Sequence, residues 1–274
     1  MKFSVIKTDS FEYYNEVEEV IFPYYGKGDL YEQISNTLTR EEQVANIRLF
    51  DFDKDVFFSL LDKINNEFNV LVSINFNYYQ KDFIDILKEK NIPFMFYNFA
   101  KDFSTIKAMQ MAGASEVCIV EDLCFSLDKI QDFRKEGLKI RIFPDVAQVA
   151  SGCHDLPVLT NFWVRPEDVE LYAQYVDTFE IWHNKNLSTI FKIYKQGQWK
   201  GDIREIITDY RDSLENTSIA PYFGQSRISC GKACLRGRCN VCFRIQELAE
   251  RFNEADISIL REKKEFKKNE PENA

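Results

Sequence analysis

Histidine is scarce in this chain: 274 residues contain two. Chemistry that leans on histidine as a base or a metal ligand therefore has little to draw on. No Gly-rich phosphate loop, P-loop or zinc-protease helix motif occurs. No apolar run approaches the roughly 20 residues that a membrane span requires. The first residues, MKFSVIKTDSFEYY, offer only about four apolar positions before charge returns, so no signal peptide is expected. A cytoplasmic setting without a membrane partner follows as the expectation. Positive charge is in deficit, with 35 Lys and Arg against 44 Asp and Glu and a net charge of -9. That argues against a broad surface for coating nucleic acid, though not against a local basic patch.

Apolar residues make up 45% of the chain and charged residues 29%, which excludes a disordered polymer. The 24 Phe and 13 Tyr supply material for a large core. The length suits one large domain or two small ones.

The middle of the chain alternates strand and helix patterns. Asn69 to Asn75 (NVLVSIN), Pro93 to Tyr97 (PFMFY), Glu116 to Glu121 (EVCIVE) and Leu138 to Phe143 (LKIRIF) read as strands. Asn161 to Val164 (NFWV) and Thr178 to Trp182 (TFEIW) read as two more, with Lys2 to Ile6 and Glu19 to Tyr24 upstream. Helical spacing separates most of them. Asp55 to Phe68 carries Phe57, Leu60, Leu61, Ile64 and Phe68 inward, and Gly113 and Gly137 close two later helices. Strand starts spaced by roughly 17–24 residues suit βα units with short loops. Eight such units predict a (β/α)8 TIM-like barrel over 1–210, with an open doubly wound sheet as the alternative. The polar stretch from about 27 to 54, KGDLYEQISNTLTREEQVANIRLFDF within it, reads as a long loop or excursion. Residues 211–260 form a cysteine-cluster lobe with a helix, and 261–274 a charged tail.

A barrel places its chemistry at the C-terminal ends of its strands. Those ends carry Tyr24 and Tyr25, Asn75 and Asn77, Asn98, Glu121 and Asp122, Asp145, Arg165 and Glu167, and His183. Carboxylates beside an arginine can bind a small polar ligand or move protons, which makes Glu121, Asp145, Arg165 and His183 the catalytic candidates. Polar strand ends also cap the turns that follow them. Pro166, Glu167 and Asp168 suit a helix first turn, which leaves Arg165 over. Cys153 and His154 are neighbours in sequence, a poor geometry for a dyad. Cys118 reads as buried packing.

The sharpest signal lies further on. Cys230, Cys234, Cys239 and Cys242 fall within ISCGKACLRGRCNVC with the spacing C-x3-C-x4-C-x2-C. In a reducing compartment four thiolates so close together point to one metal centre rather than to disulfides. Gly231 and Gly237 give the backbone room to wrap it. A 4Fe–4S cluster and a zinc ion both accept four thiolates, and the uneven spacing matches neither usual pattern. Arg227, Lys232, Arg236, Arg238 and Arg244 surround the cysteines without an acid between them. Either centre with its thiolates carries about -2, so a surplus of about three cations is left to meet phosphate or another anion. Val241, Ile245, Leu248 and Phe252 then share one helix face.

The run from Asn69 to His183 resembles the collagenase-like peptidase family of barrel proteins. The likeness is carried by NVLVSINFN, MAGASEVCIVEDL, KIRIFPDVAQ and TFEIWH, with the helix Leu187 to Tyr194 after it. The resemblance implies a (β/α) barrel. It also implies an iron–sulfur centre of the kind carried by members that take part in hydroxylating RNA or the ubiquinone ring, with prephenate implicated. Two features depart from the family. Its Gly–Cys signature is echoed only by Gly237 to Cys239, and its four cysteines are spread along the chain rather than gathered at 230–242.

Three functional classes remain open at this level. One is an iron–sulfur-dependent hydroxylation or modification enzyme, or redox partner, with a small polar ligand at the barrel mouth. A second is a zinc-stabilised binding protein that docks RNA or a protein partner through the basic knuckle. A third is a barrel used for assembly alone.

Overall fold

The computed structural model describes residues 2–75, 81–100, 102–119, 127–146, 163–182, 186–202 and 205–206. The strands are β1 (Lys2–Ile6), β2 (Glu19–Tyr24), β3 (Val44–Leu49), β4 (Asn69–Ile74), β5 (Phe94–Ala100), β6 (Glu116–Ile119), β7 (Lys139–Ile142) and β8 (Thr178–Ile181). They run parallel, each beside the next, and β8 returns to β1. The sheet is thus a closed barrel with no free edge, and the open doubly wound arrangement does not occur.

Helices follow most strands: α1 (Leu30–Ser35), α2 (Lys54–Asn65), α3 (Lys81–Glu89), α4 (Phe103–Met111), α5 (Leu127–Lys135), α6 (Val169–Tyr172) and α7 (Leu187–Gln196). A 3-10 turn over Tyr14–Glu16 takes the first helix position. Local chemistry sets several starts. The carboxylates of Asp29, Asp53 and Asp102 accept from the backbone N–H groups of Glu32, Val56 and Thr105, which caps α1, α2 and α4. At the end of α4, Gly113 takes φ +95°, and a Cβ there would lie 2.6 Å from Cε of Lys88.

The rhythm predicted from sequence holds, with one exchange. The stretch expected to be a loop contains β3, and Trp163 and Val164, expected in a strand, belong to no strand. Val164 makes one backbone bond to Pro144, while β7 pairs directly with β8 and leaves no gap for another strand. In β3 Ala45, Ile47 and Leu49 face outward in alternation with the inward Asn46 and Arg48, a short pattern that the polar residues on either side conceal.

Side chains of a strand point alternately to either face. One set packs outward under the helices: Val5, Val20, Phe22, Ile47, Val72, Val117, Ile140 and Phe179 meet helix residues such as Phe57, Leu61, Leu87, Ile106 and Phe191 in one continuous apolar layer. The other set fills the barrel. Leu71, Met95, Cys118 and Phe143 form a small apolar cluster there, and Ser4, Glu19, Asn46, Arg48, Ser73, Glu116, Arg141 and Glu180 are the polar residues buried with it. Cys118 is a buried free thiol, and burial drives its pKa up, with Glu180 adding to the effect against the pull of Arg141 and Arg48. Among the described residues no helix is long and apolar enough to cross a membrane.

Candidate functional site

Arg141 occupies the middle of the barrel, fully buried on β7. Its Nε donates to Glu116 Oε1 at 2.8 Å, Nη1 to Glu180 Oε2 at 3.0 Å and Nη2 to Glu19 Oε1 at 2.6 Å. One guanidinium thereby ties together strands β2, β6 and β8. Glu19 receives further support from Lys2 at 3.1 Å, Ser4 at 2.9 Å and Asn46 at 2.7 Å. Ser73 in turn donates to the Asn46 carbonyl. Burial works against the Glu19 charge, but Arg141, Lys2 and the Asn46 hydrogen bond outweigh it and hold its pKa down to about 2. Burial likewise works against the charge on Arg141, and the carboxylates of Glu116, Glu19 and Glu180 reverse that and raise its pKa.

Nearer the C-terminal ends of the strands sits a second arginine. Nη2 of Arg48 donates to both oxygens of Glu180, at 2.9 and 3.0 Å. Its guanidinium carbon lies 5.3 Å from the centre of the Tyr97 ring and 5.8 Å from that of Trp182. Aromatic contacts run outward from both. Phe50 lies 5.8 Å from Tyr97 and stacks on Tyr25 at 4.8 Å, while Phe143 meets Trp182 edge-on at 5.6 Å. Four of the rings stand just past the end of a strand, Tyr25 after β2, Phe50 after β3, Phe143 after β7 and Trp182 after β8, and Tyr97 lies within β5. The mouth therefore has a charged floor and an aromatic rim.

The residues expected to act in this mouth fare differently. Asp145, past β7, is buried and accepts from the backbone N–H of Trp182 at 2.9 and 3.1 Å, a strap that holds the ends of β7 and β8 together. Arg165 forms a two-pronged pair with Asp168, at 2.6 and 2.9 Å, across the 3-10 turn Pro166–Asp168. Glu167 accepts from the backbone N–H of Trp199 at 2.8 Å. Tyr194 donates its hydroxyl toward the carbonyls of Pro144 and Val164 at 3.0 and 2.9 Å, which places the Asp145 and Arg165 segments side by side. Glu121 and His183 lie outside the described residues. So do Cys230, Cys234, Cys239 and Cys242, and the basic residues Arg227, Lys232, Arg236, Arg238 and Arg244.

Among the described residues no group of three or more His, Cys, Asp or Glu is placed to hold a metal ion. The sequence reading missed Glu19, Arg48, Glu116, Arg141 and Glu180. The signal lies in LKIRIF and TFEIW, where Arg141 and Glu180 each sit between apolar neighbours. In a strand that pattern sends the charge to the opposite face from the helices, and in a barrel that face is the interior. No protein-family model matches the chain, and no curated protein matches it.

Proposed function

We propose that the chain is a barrel metalloprotein that modifies a small organic substrate held at the C-terminal mouth. Its metal centre is a 4Fe–4S cluster on Cys230, Cys234, Cys239 and Cys242. The observation that carries the reading is the mouth itself. A closed parallel barrel presents a buried arginine between two aromatic rings at the end where barrels of this class bind their ligands. The donor set fits the group, because four thiolates within thirteen residues are what one such centre requires. When bound, the cluster would supply electrons for a redox modification. The chain's own residues bind and orient: Arg48 and the rings position the substrate, and the paired carboxylates beneath keep the floor charged and rigid.

The test is metal analysis of protein purified without oxygen, with a visible spectrum on the same sample. The expected result is about four iron and four acid-labile sulfide per chain, with broad brown absorption. One zinc per chain in a colourless sample would overturn the redox reading.

That second outcome leads to a different function, favoured by the five basic residues around the cysteines. Zinc would then hold a knuckle that docks RNA or an acidic protein surface. Binding would weaken steeply with salt, and neutralising Arg236 and Arg238 together would abolish it.

A further inference from the structure

We infer that the barrel docks its own cysteine segment, residues 227–244, against an acidic aromatic ledge formed by the loops after β2 and β3. The ledge takes the segment whichever metal its thiolates hold, so the inference rests on neither the metal's identity nor the substrate reading.

Among the described residues five large apolar side chains stand exposed: Tyr25, Phe50, Val56, Met111 and Trp182. Three of them fall on two loops that touch. A Cβ added at Gly26 would lie 3.0 Å from the carbonyl oxygen of Asp51, and Tyr25 stacks on Phe50 at 4.8 Å. Val56 follows in the first turn of α2. Tyr25 is 58% exposed, Val56 57% and Phe50 42%. Apolar side chains gathered in this way mark a contact surface, where single ones would not.

Charge around the ledge names its occupant. Asp29, Asp51, Asp53 and Asp55 are exposed on the same two loops and the helix turn after them, and none has an ion pair among the described residues. Lys27 offsets one of these carboxylates, and Lys54 is already paired with Asp82. A surplus of three carboxylates is left. The segment 227–244, outside the described residues, carries Arg227, Lys232, Arg236, Arg238 and Arg244 and no acid. Its thiolates with a bound metal offset about two of those charges, which leaves a surplus of about three cations. All but Lys232 are arginines, whose flat guanidinium stacks on Tyr and Phe as well as pairing with carboxylates. The two surfaces match in sign and in kind.

The tether permits the contact. Ile206 is the last described residue. The roughly 20 residues from there to Arg227 span up to about 70 Å when extended. A domain of about 200 residues has a radius of gyration of about 17 Å, so no face of the barrel is out of range. A segment tethered this way meets the ledge at an effective concentration on the order of millimolar. A second copy of the chain must compete with that.

The test puts the photoreactive residue p-benzoylphenylalanine in place of Val56 in the full chain, purified without oxygen. Irradiation and mass spectrometry then identify what the ledge touches. The expected result is a cross-link to residues 227–244 within the monomer. Asp51→Arg with Asp55→Arg spares the capping carboxylates of Asp29 and Asp53 and should cut the yield by about tenfold. Arg236→Asp with Arg238→Asp, which alters no described residue, should cut it equally. All four substitutions together should restore it. No cross-link to 227–244, or one confined to a dimer, would overturn the inference. So would an undiminished yield in either pair of substitutions, or no recovery in a four-site variant that melts cooperatively. Metal content is measured on the same samples. Zinc with the cross-link present overturns the iron–sulfur reading and leaves the docking standing. An iron–sulfur sample without the cross-link does the reverse.

Discussion

Arg141 holds three carboxylates in a space from which water is excluded, and the balance is delicate. Removing one member of a buried charge network costs about 3–5 kcal/mol, because its partners are left charged and unpaired. Arg141→Leu is therefore expected to lose at least that much in urea denaturation at neutral pH. Glu116 suffers most, since its one described ion pair is with Arg141. Acid should act oppositely on the two proteins. In the wild type the Glu19 carboxyl falls from an ordinary 4.5 to about 2. Its contribution is complete above about pH 4.5 and is lost as the pH falls toward about 2, on the order of 3 kcal/mol. In Arg141→Leu the stranded carboxylates gain by taking up protons. The gap between the two proteins should narrow between pH 5 and 3 (about the carboxylate range). Stability curves that stay parallel over that range would show that the network is not ionised as described.

Among elements, β3 shows how much the sequence discloses and where it stops. Strands whose interior face is small or apolar, such as Asn69–Ile74 with Leu71 and Ser73, declare themselves through β-branched runs. The strand that carries Asn46 and Arg48 reads as polar, because two of its six residues point into a charged interior that only closure of the barrel creates. The same cause hid the site. A lone charge in a strand is uninterpretable until the other strands bring its counter-charges within 3 Å, and Glu180 lies 132 residues from Arg48. Helices such as α2 and α7 were legible to within a few residues, whereas α1 lies in the stretch that reads as a loop, although Asp29 caps it. Asp53 heads α2, whose buried Phe57, Leu61 and Ile64 support the wall beside β3. Asp53→Ala should cost about 1 kcal/mol, read as a lower urea midpoint with an unchanged slope. Loss of far-UV helix signal beyond α2 would show that the cap also organises its neighbours.

At the scale of the whole molecule, closure determines what depends on what. β1 and β8 pair over Lys2 to Val5, and Phe3 packs against Phe179 and Phe191 across that seam. Every strand has a neighbour on each side before residue 182 is reached. The hydrogen-bond ladder of the barrel is thus closed by strands that all precede the cysteine segment at 230–242. A metal on those thiolates would stabilise its own surroundings and would not be a condition for folding the barrel, unlike a small zinc domain whose fold is the metal site. Stripping the metal from the full chain with a chelator under reducing conditions should leave a cooperative thermal transition. Its midpoint should move by no more than about 4 °C, the size of a change near 1–2 kcal/mol in a domain this large. If the chelated protein instead melts without cooperativity, the cysteine segment is part of the barrel's folding unit. The charged floor and aromatic rim would then owe their geometry to the metal as well as to the strands.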